Sequence, residues 1–277
     1  MLYYKTVNNL LKEVLLELMA AKAFENFRLV GGTSLSLQIG HRESIDIDLF
    51  SDAEYGEIDF DAIENYLETN FKYIDHLSNI IPGMGKSYLI GEDKDNTLKL
   101  DIFYTDKFIQ PIYLEDTIRM ATIEEIIAMK LDVVQRGGRK KDFWDLHELF
   151  EKYSLNEMLD LHKQRYPYTH DRDLIIQNFT DFSIADDEFN PICFKGKYWE
   201  FIKEDIEEIL TLFKEFVHQN RPSLDIDDVA TGETWFGSAA MDKGLCDEIR
   251  AVDDVLLDHV KNGYQVLDVK YTPPKEK

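Results

Sequence analysis

The chain is 277 residues long and carries 54 acidic against 31 basic side chains, a net charge of −23. That balance opposes sequence-blind nucleic-acid binding, which depends on many Lys/Arg–phosphate contacts, but leaves room for a nucleic acid held at a local basic patch. A hydrophobic fraction of 44%, with 12% aromatics, excludes a globally disordered chain and suffices for one large domain or two modest ones.

Two cysteines occur, Cys193 and Cys246, with no CxxC or His-linked metal spacing, as expected of a reducing cytosol. Residues 1–24 lack a signal peptide's continuous apolar core, and no stretch approaches the length of a membrane span. A cytoplasmic protein without a membrane partner is expected.

Residues 6–24 repeat apolar side chains at helical spacing: Val7, Leu10, Leu11, Val14, Leu15 and Leu18. A strand over 27–30 then enters Gly31-Gly32, followed by a short helix over 34–39 and a strand over 45–50. The glycines let the backbone come close to a phosphate. Thr33 or Ser34 can cap the helix and leave its free N–H groups aimed at an anion. Asp46 and Asp48, at i and i+2 on the strand, share one face, while Ile45, Ile47 and Leu49 share the other. Such carboxylates are hard ligands for Mg2+, which binds through one or two of them plus substrate phosphates. Two such ions, roughly 3.5–4 Å apart, can clamp the attacking and leaving oxygens of an in-line displacement.

A helix over 61–71 follows, then strands near 73–77, 87–90 and 97–104. The last holds one acid, Asp101, a third ligand. Alternating Asp alone would equally suit the wet face of an edge strand. Glycine turn, helix, acidic pair and later lone acid together point to a catalytic metal site for phosphate chemistry.

From residue 122 the pattern is helical. A helix over 122–135 starts at Thr122 with Glu125 three positions on, in the manner of a capping box, and stops at Gly137-Gly138. Lys130 and Asp132 face different sides of it. Further helices cover 140–153, 155–165, 172–178 and 198–217. Arg136, Arg139, Lys140 and Lys141 make the densest basic cluster, which either complements a helix C-terminus or contacts nucleotide or RNA phosphates. Asp142 and Asp145 share a helical face and can order Lys141 or Arg136, or act in catalysis. Phe143 and Trp144 suit packing, with base stacking as the alternative. In the loop before the acidic strand, Arg42 can contact a phosphate and Ser44 a backbone group or metal-bound water.

The pattern hydrophobic-Gly-Gly, spacer, Asp-hydrophobic-Asp-hydrophobic resembles the signature of the DNA polymerase β-like nucleotidyltransferases. Within them, Gly31-Gly32-Thr33-Ser34-Leu35 with Gly40-His41-Arg42-Glu43-Ser44-Ile45-Asp46-Ile47-Asp48-Leu49-Phe50 resembles the AbiEii/AbiGii toxin family. The likeness continues in Lys130-Leu131-Asp132, Arg136 and Arg139-Lys140-Lys141-Asp142-Phe143-Trp144-Asp145-Leu146, and covers about residues 1–210. It implies an α+β fold: a small mixed-sheet catalytic domain over 1–120, then a helical domain over 121–211 that completes the active site.

The resemblance further implies Mg2+ (two ions, Mn2+ as the alternative) at Asp46, Asp48 and Asp101. A nucleoside triphosphate would be held by Gly31, Gly32, Thr33, Ser34, Arg42, Arg136, Lys141 and Lys130, the last on the triphosphate. It favours an active-site role for Asp142 and Asp145, not separable from one another. The implied activity is transfer of a nucleoside monophosphate, with release of pyrophosphate, to an RNA acceptor such as a tRNA terminus, or to a protein. The implied setting is the toxin of a type IV toxin–antitoxin or abortive-infection (phage defence) pair, with its antitoxin encoded nearby. The alternative is a non-catalytic nucleotide- or partner-binding protein of the same fold.

Residues 212–277 differ in character. Val229-Ala230-Thr231-Gly232-Glu233-Thr234-Trp235-Phe236-Gly237 and Ala240-Met241-Asp242-Lys243-Gly244-Leu245 resemble the C-terminal part of SohB/SppA-type signal peptide peptidases. The resemblance implies a strand, a turn and a helix cut from a larger αβ core. That family's Ser–Lys pair lies upstream of this segment, so no protease activity is expected. A fusion in which the tail is a passenger is the favoured reading, because so short a piece buries little surface alone. Trp235 and Phe236 would dock on the helical half or remain exposed.

Overall fold

Strict alternation of buried and half-exposed residues along the acidic strand and its neighbours dictates a sheet with one covered face and one open face. The computed structural model of the chain describes residues 1–77, 84–220, 237–242 and 248–265. The chain divides into two compact units, Met1–Leu212 and Phe213–Lys277.

In the first unit, α1 (Asn9–Ala20) is capped by the Asn8 side chain and leads to β1 (Arg28–Leu29), α2 (Gly31–Ile39) and β2 (Asp46–Ser51). Next come α3 (Phe60–Asn70), β3 (Tyr73–His76), β4 (Gly85–Asp93), β5 (Asn96–Tyr104), β6 (Tyr113–Glu115) and β7 (Ile118–Met120). The strands form one mixed sheet in the order β3-β4-β5-β2-β1-β7-β6, with β2 parallel to β5 and β1 parallel to β7. Ile47, Leu49, Tyr88, Ile90, Leu98, Leu100 and Ile102 point to the covered face and join Leu11, Leu15, Leu18, Ile63 and Leu67 of α1 and α3 in the core.

The helical half consists of α4 (Ile123–Gln135), α5 (Lys140–Leu149), α6 (Leu155–Arg165), α7 (Arg172–Asn178), α8 (Ser183–Asp186) and α9 (Trp199–Asn220). Phe143 and Trp144 are buried in an aromatic cluster with Phe179, Phe182 and Trp199, so both pack rather than face a ligand. Arg165 fastens this half to the sheet. It is buried, pairs with Glu125 at 2.6 Å and donates to the Thr105 hydroxyl at 2.8 Å.

Several expectations need correction. The helix after β1 begins at Gly31 itself, and no side chain caps it. Thr33 and Ser34 therefore lie within its first turns, fully buried. Thr122 does cap α4, but Glu125 turns to Arg165 and the Gln110 amide instead of closing a capping box. The helix expected over 140–153 ends at Leu149. The β6–β7 hairpin was not foreseen: its turn needs positive φ at Asp116 (49°) and Thr117 (67°), a conformation usually signalled by Asn-Gly or Asp-Gly.

In the second unit the described helices are Ser238–Asp242 and Val252–Lys261. The expectations for Trp235 and Phe236, and for a strand in the tail, lie outside the described residues. Among the described residues no helix is long and apolar enough to cross a membrane.

Candidate active site

The parallel register of β2 and β5 sets Asp48 beside Asp101 and Asp46 beside Lys99. All four side chains leave the open face of the sheet and are half-buried. Lys99 Nζ lies 2.6 Å from Asp101 Oδ2, whereas the buried Asp101 Oδ1 has no hydrogen-bond partner. Burial, then the charges of Asp101 and Asp46, push the Asp48 carboxyl up to about 6, against the opposing pull of Lys141 and Lys130. The row therefore holds more negative charge than its cations neutralise. Among the described residues no three His, Cys, Asp or Glu side chains are grouped closely enough to hold a metal ion by themselves. The carboxylates form an open rim, which suits an ion that takes one or two carboxylates and completes its shell with phosphate and water oxygens.

Gly31 closes one side of the rim. Its φ is +67°, and a Cβ there would lie 2.6 Å from Asp48 Oδ2. A Cβ on Gly32 would meet the Arg42 guanidinium at 2.3 Å. Both glycines are thus required by close approach, and the uncapped amides of α2 begin beside the carboxylates. Gly31→Ala is expected to cost about 1–2 kcal/mol in stability through its left-handed backbone. It should also displace the Asp48 carboxylate, so urea denaturation and an activity assay would fall together. An unchanged activity would show that Asp48 is free to move.

The hydroxyls of Thr33 and Ser34 are turned to buried protein partners. The Thr33 hydroxyl lies 2.8 Å from Ser44 Oγ and donates to the Asp46 carbonyl, so it ties α2 to the start of β2. Ser34 Oγ accepts from Gln38 at 3.1 Å. Ser44 is likewise spent on Thr33.

Behind the rim lies a buried ion network. Asp145 accepts two bonds from Arg42, at 2.6 and 2.7 Å, lies 2.7 Å from His41 Nε2, and pairs with Lys130 at 2.8 Å. Asp142 pairs with Lys130 at 2.5 Å and with Arg139 at 2.9 Å. Burial alone would raise the Asp145 carboxyl, but Arg42 and Lys130 hold it well below the usual carboxylate range. Every oxygen of Asp142 and Asp145 thus faces a cation. Their partners differ from those expected: Lys130, Arg42 and Arg139, not Lys141 or Arg136. Arg42 donates to both Asp145 oxygens and to the Glu43 carbonyl, and so clamps α5 to the loop before β2.

Arg136 departs from the site. It pairs with Asp132 at 2.5 Å on the face of α4 that meets His162 of α6. Lys141 stays with the site, its Nζ 3.9 Å from Asp46 Oδ2 and its side chain 40% exposed. Burial, then repulsion from Arg139 and Lys130, lowers its pKa. It is a cation at the rim that no carboxylate holds tightly. Lys130, with its side chain 6% exposed, acts from behind as a fixed positive charge.

Lys99 was missed by sequence reasoning, although its place two residues before Asp101 on an alternating strand puts both on one face. A separate cavity of 520 Å³, lined in part by His147, Lys197, Tyr198 and Phe201, contains none of the carboxylates.

Residues 13–219 match the family described as "Nucleotidyl transferase AbiEii toxin, Type IV TA system", and residues 194–265 match peptidase family S49. The two matches overlap over residues 194–219. A probable protease SohB of Haemophilus influenzae is 43% identical over 102 residues, which cover 37% of this chain and 28% of that protein. The chain thus spans under a third of the SohB relatives it matches. An uncharacterized protein of Aquifex aeolicus, aq_aa25, is 28% identical over 214 residues, covering 72% of this chain and 95% of that one. The crystal structure of a "putative nucleotidyltransferase" from H. pylori covers 75% of this chain and 95% of its own, at 22% identity and a TM-score of 0.50, a likeness of fold. With three-quarters of its length inside the family match, the chain belongs to the AbiEii nucleotidyl transferase toxin family of type IV toxin–antitoxin systems.

Proposed function

We propose that the chain is a Mg2+-dependent nucleotidyltransferase acting in the cytoplasm. It would move a nucleoside monophosphate from a nucleoside triphosphate to a hydroxyl of an RNA or protein acceptor, as a toxin restrained by an antitoxin encoded beside it. The observation that carries this reading is the in-register pair Asp48–Asp101 beside Gly31, with one Asp101 oxygen buried and unpartnered and the Asp48 carboxyl pushed up to about 6. A carboxylate row so short of positive charge fits a divalent cation.

Asp46, Asp48 and Asp101 would hold the Mg2+, which supplies charge neutralisation for the phosphate oxygens when bound. The amides at Gly31-Gly32 and the ammonium of Lys141 would hold the triphosphate, while Lys130 adds a fixed positive charge. The acceptor oxygen bonds to the α-phosphorus, the bond to the bridging oxygen breaks, and pyrophosphate leaves with the electron pair. The hydroxyl proton passes to the free oxygen of Asp101 or to solvent. Catalysis of this kind rests on positioning and charge stabilisation. Every residue named here lies before residue 194, so the peptidase-like segment contributes none of them.

The test incubates the full chain with α-labelled nucleoside triphosphates, Mg2+ and either total RNA or total protein. Covalent label on an acceptor with equimolar pyrophosphate is the expected result. Nucleotide binding without label on either acceptor would replace this reading with that of a binding protein.

A further inference from the structure

The aromatic pair next to the carboxylates plays no part in the steps above. Phe50 and Phe103 lie side by side across β2 and β5, two residues beyond Asp48 and Asp101 on the same open face. Their ring centroids are 5.9 Å apart, and both are half-buried. Phe103 sits across from Gly85 of β4, where a Cβ would come within 2.6 Å of its ring. The glycine therefore leaves room for the Phe103 ring over bare backbone, and the two rings, tilted by 53° to one another, make an apolar shelf.

Two strand residues separate this shelf from the carboxylate row by roughly 6.6 Å, about the reach from a nucleotide's sugar hydroxyl to its base. The side on which it lies matters more. Lys141 lies at the Asp46 end of the row, its Nζ 3.9 Å from the Asp46 carboxylate, while Gly31 stands beside Asp48 in the middle. The shelf lies at the end away from Lys141. An in-line displacement puts the attacking hydroxyl opposite the departing pyrophosphate. With the pyrophosphate held at the Lys141 end, the acceptor occupies the phenylalanine end.

We propose that Phe50 and Phe103 are the platform on which the terminal base of an RNA acceptor stacks, so that a hydroxyl of its ribose meets Asp101. This rests on the nucleotidyl-transfer reading above and names the acceptor class that reading leaves open. The charge of the chain supports it: at a net −23, contacts to many phosphates are not on offer, and stacking is the recognition that remains. Arg28, opposite Phe50 on β1, adds one cation to the same row, its guanidinium 4.0 Å from the centre of the Phe108 ring.

The experiment compares the full-length wild type with Phe50→Leu/Phe103→Leu and Phe50→Tyr/Phe103→Tyr. Each is assayed for label transfer to total RNA and to total protein, and for nucleoside triphosphate affinity. Leucine preserves apolar cover over the sheet, and tyrosine preserves the ring. The wild type should label RNA. The leucine pair should raise the RNA KM by roughly tenfold or more while leaving triphosphate affinity and kcat at saturating RNA unchanged, and the tyrosine pair should retain wild-type KM. A short RNA ending in a fluorescent adenine analogue should be quenched by the wild type and the tyrosine pair, not by the leucine pair. Label on protein but not RNA, or an unchanged RNA KM in the leucine pair, overturns the platform and leaves nucleotidyl transfer standing. No label on either acceptor from the wild type overturns both.

Discussion

Asp48→Asn is expected to lower nucleotidyl transfer by about a thousandfold while making the metal-free protein more stable. The two effects share one cause. Burial and the neighbouring Asp101 and Asp46 raise the Asp48 carboxyl from 3.8 to about 6, so its ionised form is held at a cost. Between about pH 4 and 6 the folded chain keeps a proton that the unfolded chain has lost. Wild-type stability therefore falls as pH rises through that window and levels off above it. Asparagine removes this slope. The variant should gain about 3 kcal/mol above pH 6 and nothing below pH 4. Mg2+ should raise the melting temperature of the wild type, because a cation that binds only the folded carboxylate row stabilises it by mass action. It should not raise that of Asp48→Asn. Thermal melts with and without Mg2+ across pH 4–8, beside the label-transfer assay, check all three points. A variant destabilised at neutral pH, or still shifted by Mg2+, would remove Asp48 from the centre of the site.

Part of the carboxylate row is legible because a strand has a period of two: Asp46 and Asp48 announce their common face, while the parallel register of β2 and β5 is what brings Asp101 to it. The same rule puts Lys99 on the face of Asp101, where it pairs with that carboxylate. Thr33 and Ser34 were misassigned by a shift in one boundary. With the helix starting at Gly31, hydroxyls read as caps fall two to three positions inside it and turn to buried partners. The roles of Asp142 and Asp145 depend on distant chain. Arg42 lies 103 residues before Asp145, and no local pattern signals that pairing. Periodicity locates a side chain on an element, but whether a buried acid faces substrate or a structural cation is settled by packing between elements.

That distinction gives the largest stability effect. Asp145→Ala should destabilise the protein by roughly 3–5 kcal/mol, because it leaves Arg42 and Lys130 buried without their shared counter-charge. Asp145 is fully buried, and its partners come from two places: His41 and Arg42 in the loop before β2, and Lys130 in α4. Removing it therefore loosens α5 from both α4 and the acidic strand. An exposed pair provides the control. Lys107 and Glu54 are 69% and 75% exposed, and Glu54→Gln should leave the denaturation midpoint unchanged. The pH dependence identifies the mechanism. The folded-state carboxyl of Asp145 is held well below 3.8, so its stabilisation is fully present above that value and is lost as pH falls through the depressed folded one. The gap between Asp145→Asn and wild type, measured by urea denaturation, should hold steady from pH 8 to about 4 and narrow below it. A gap under about 1 kcal/mol at neutral pH would mean that Arg42 and Lys130 find other partners, and that Asp145 is free for chemistry after all.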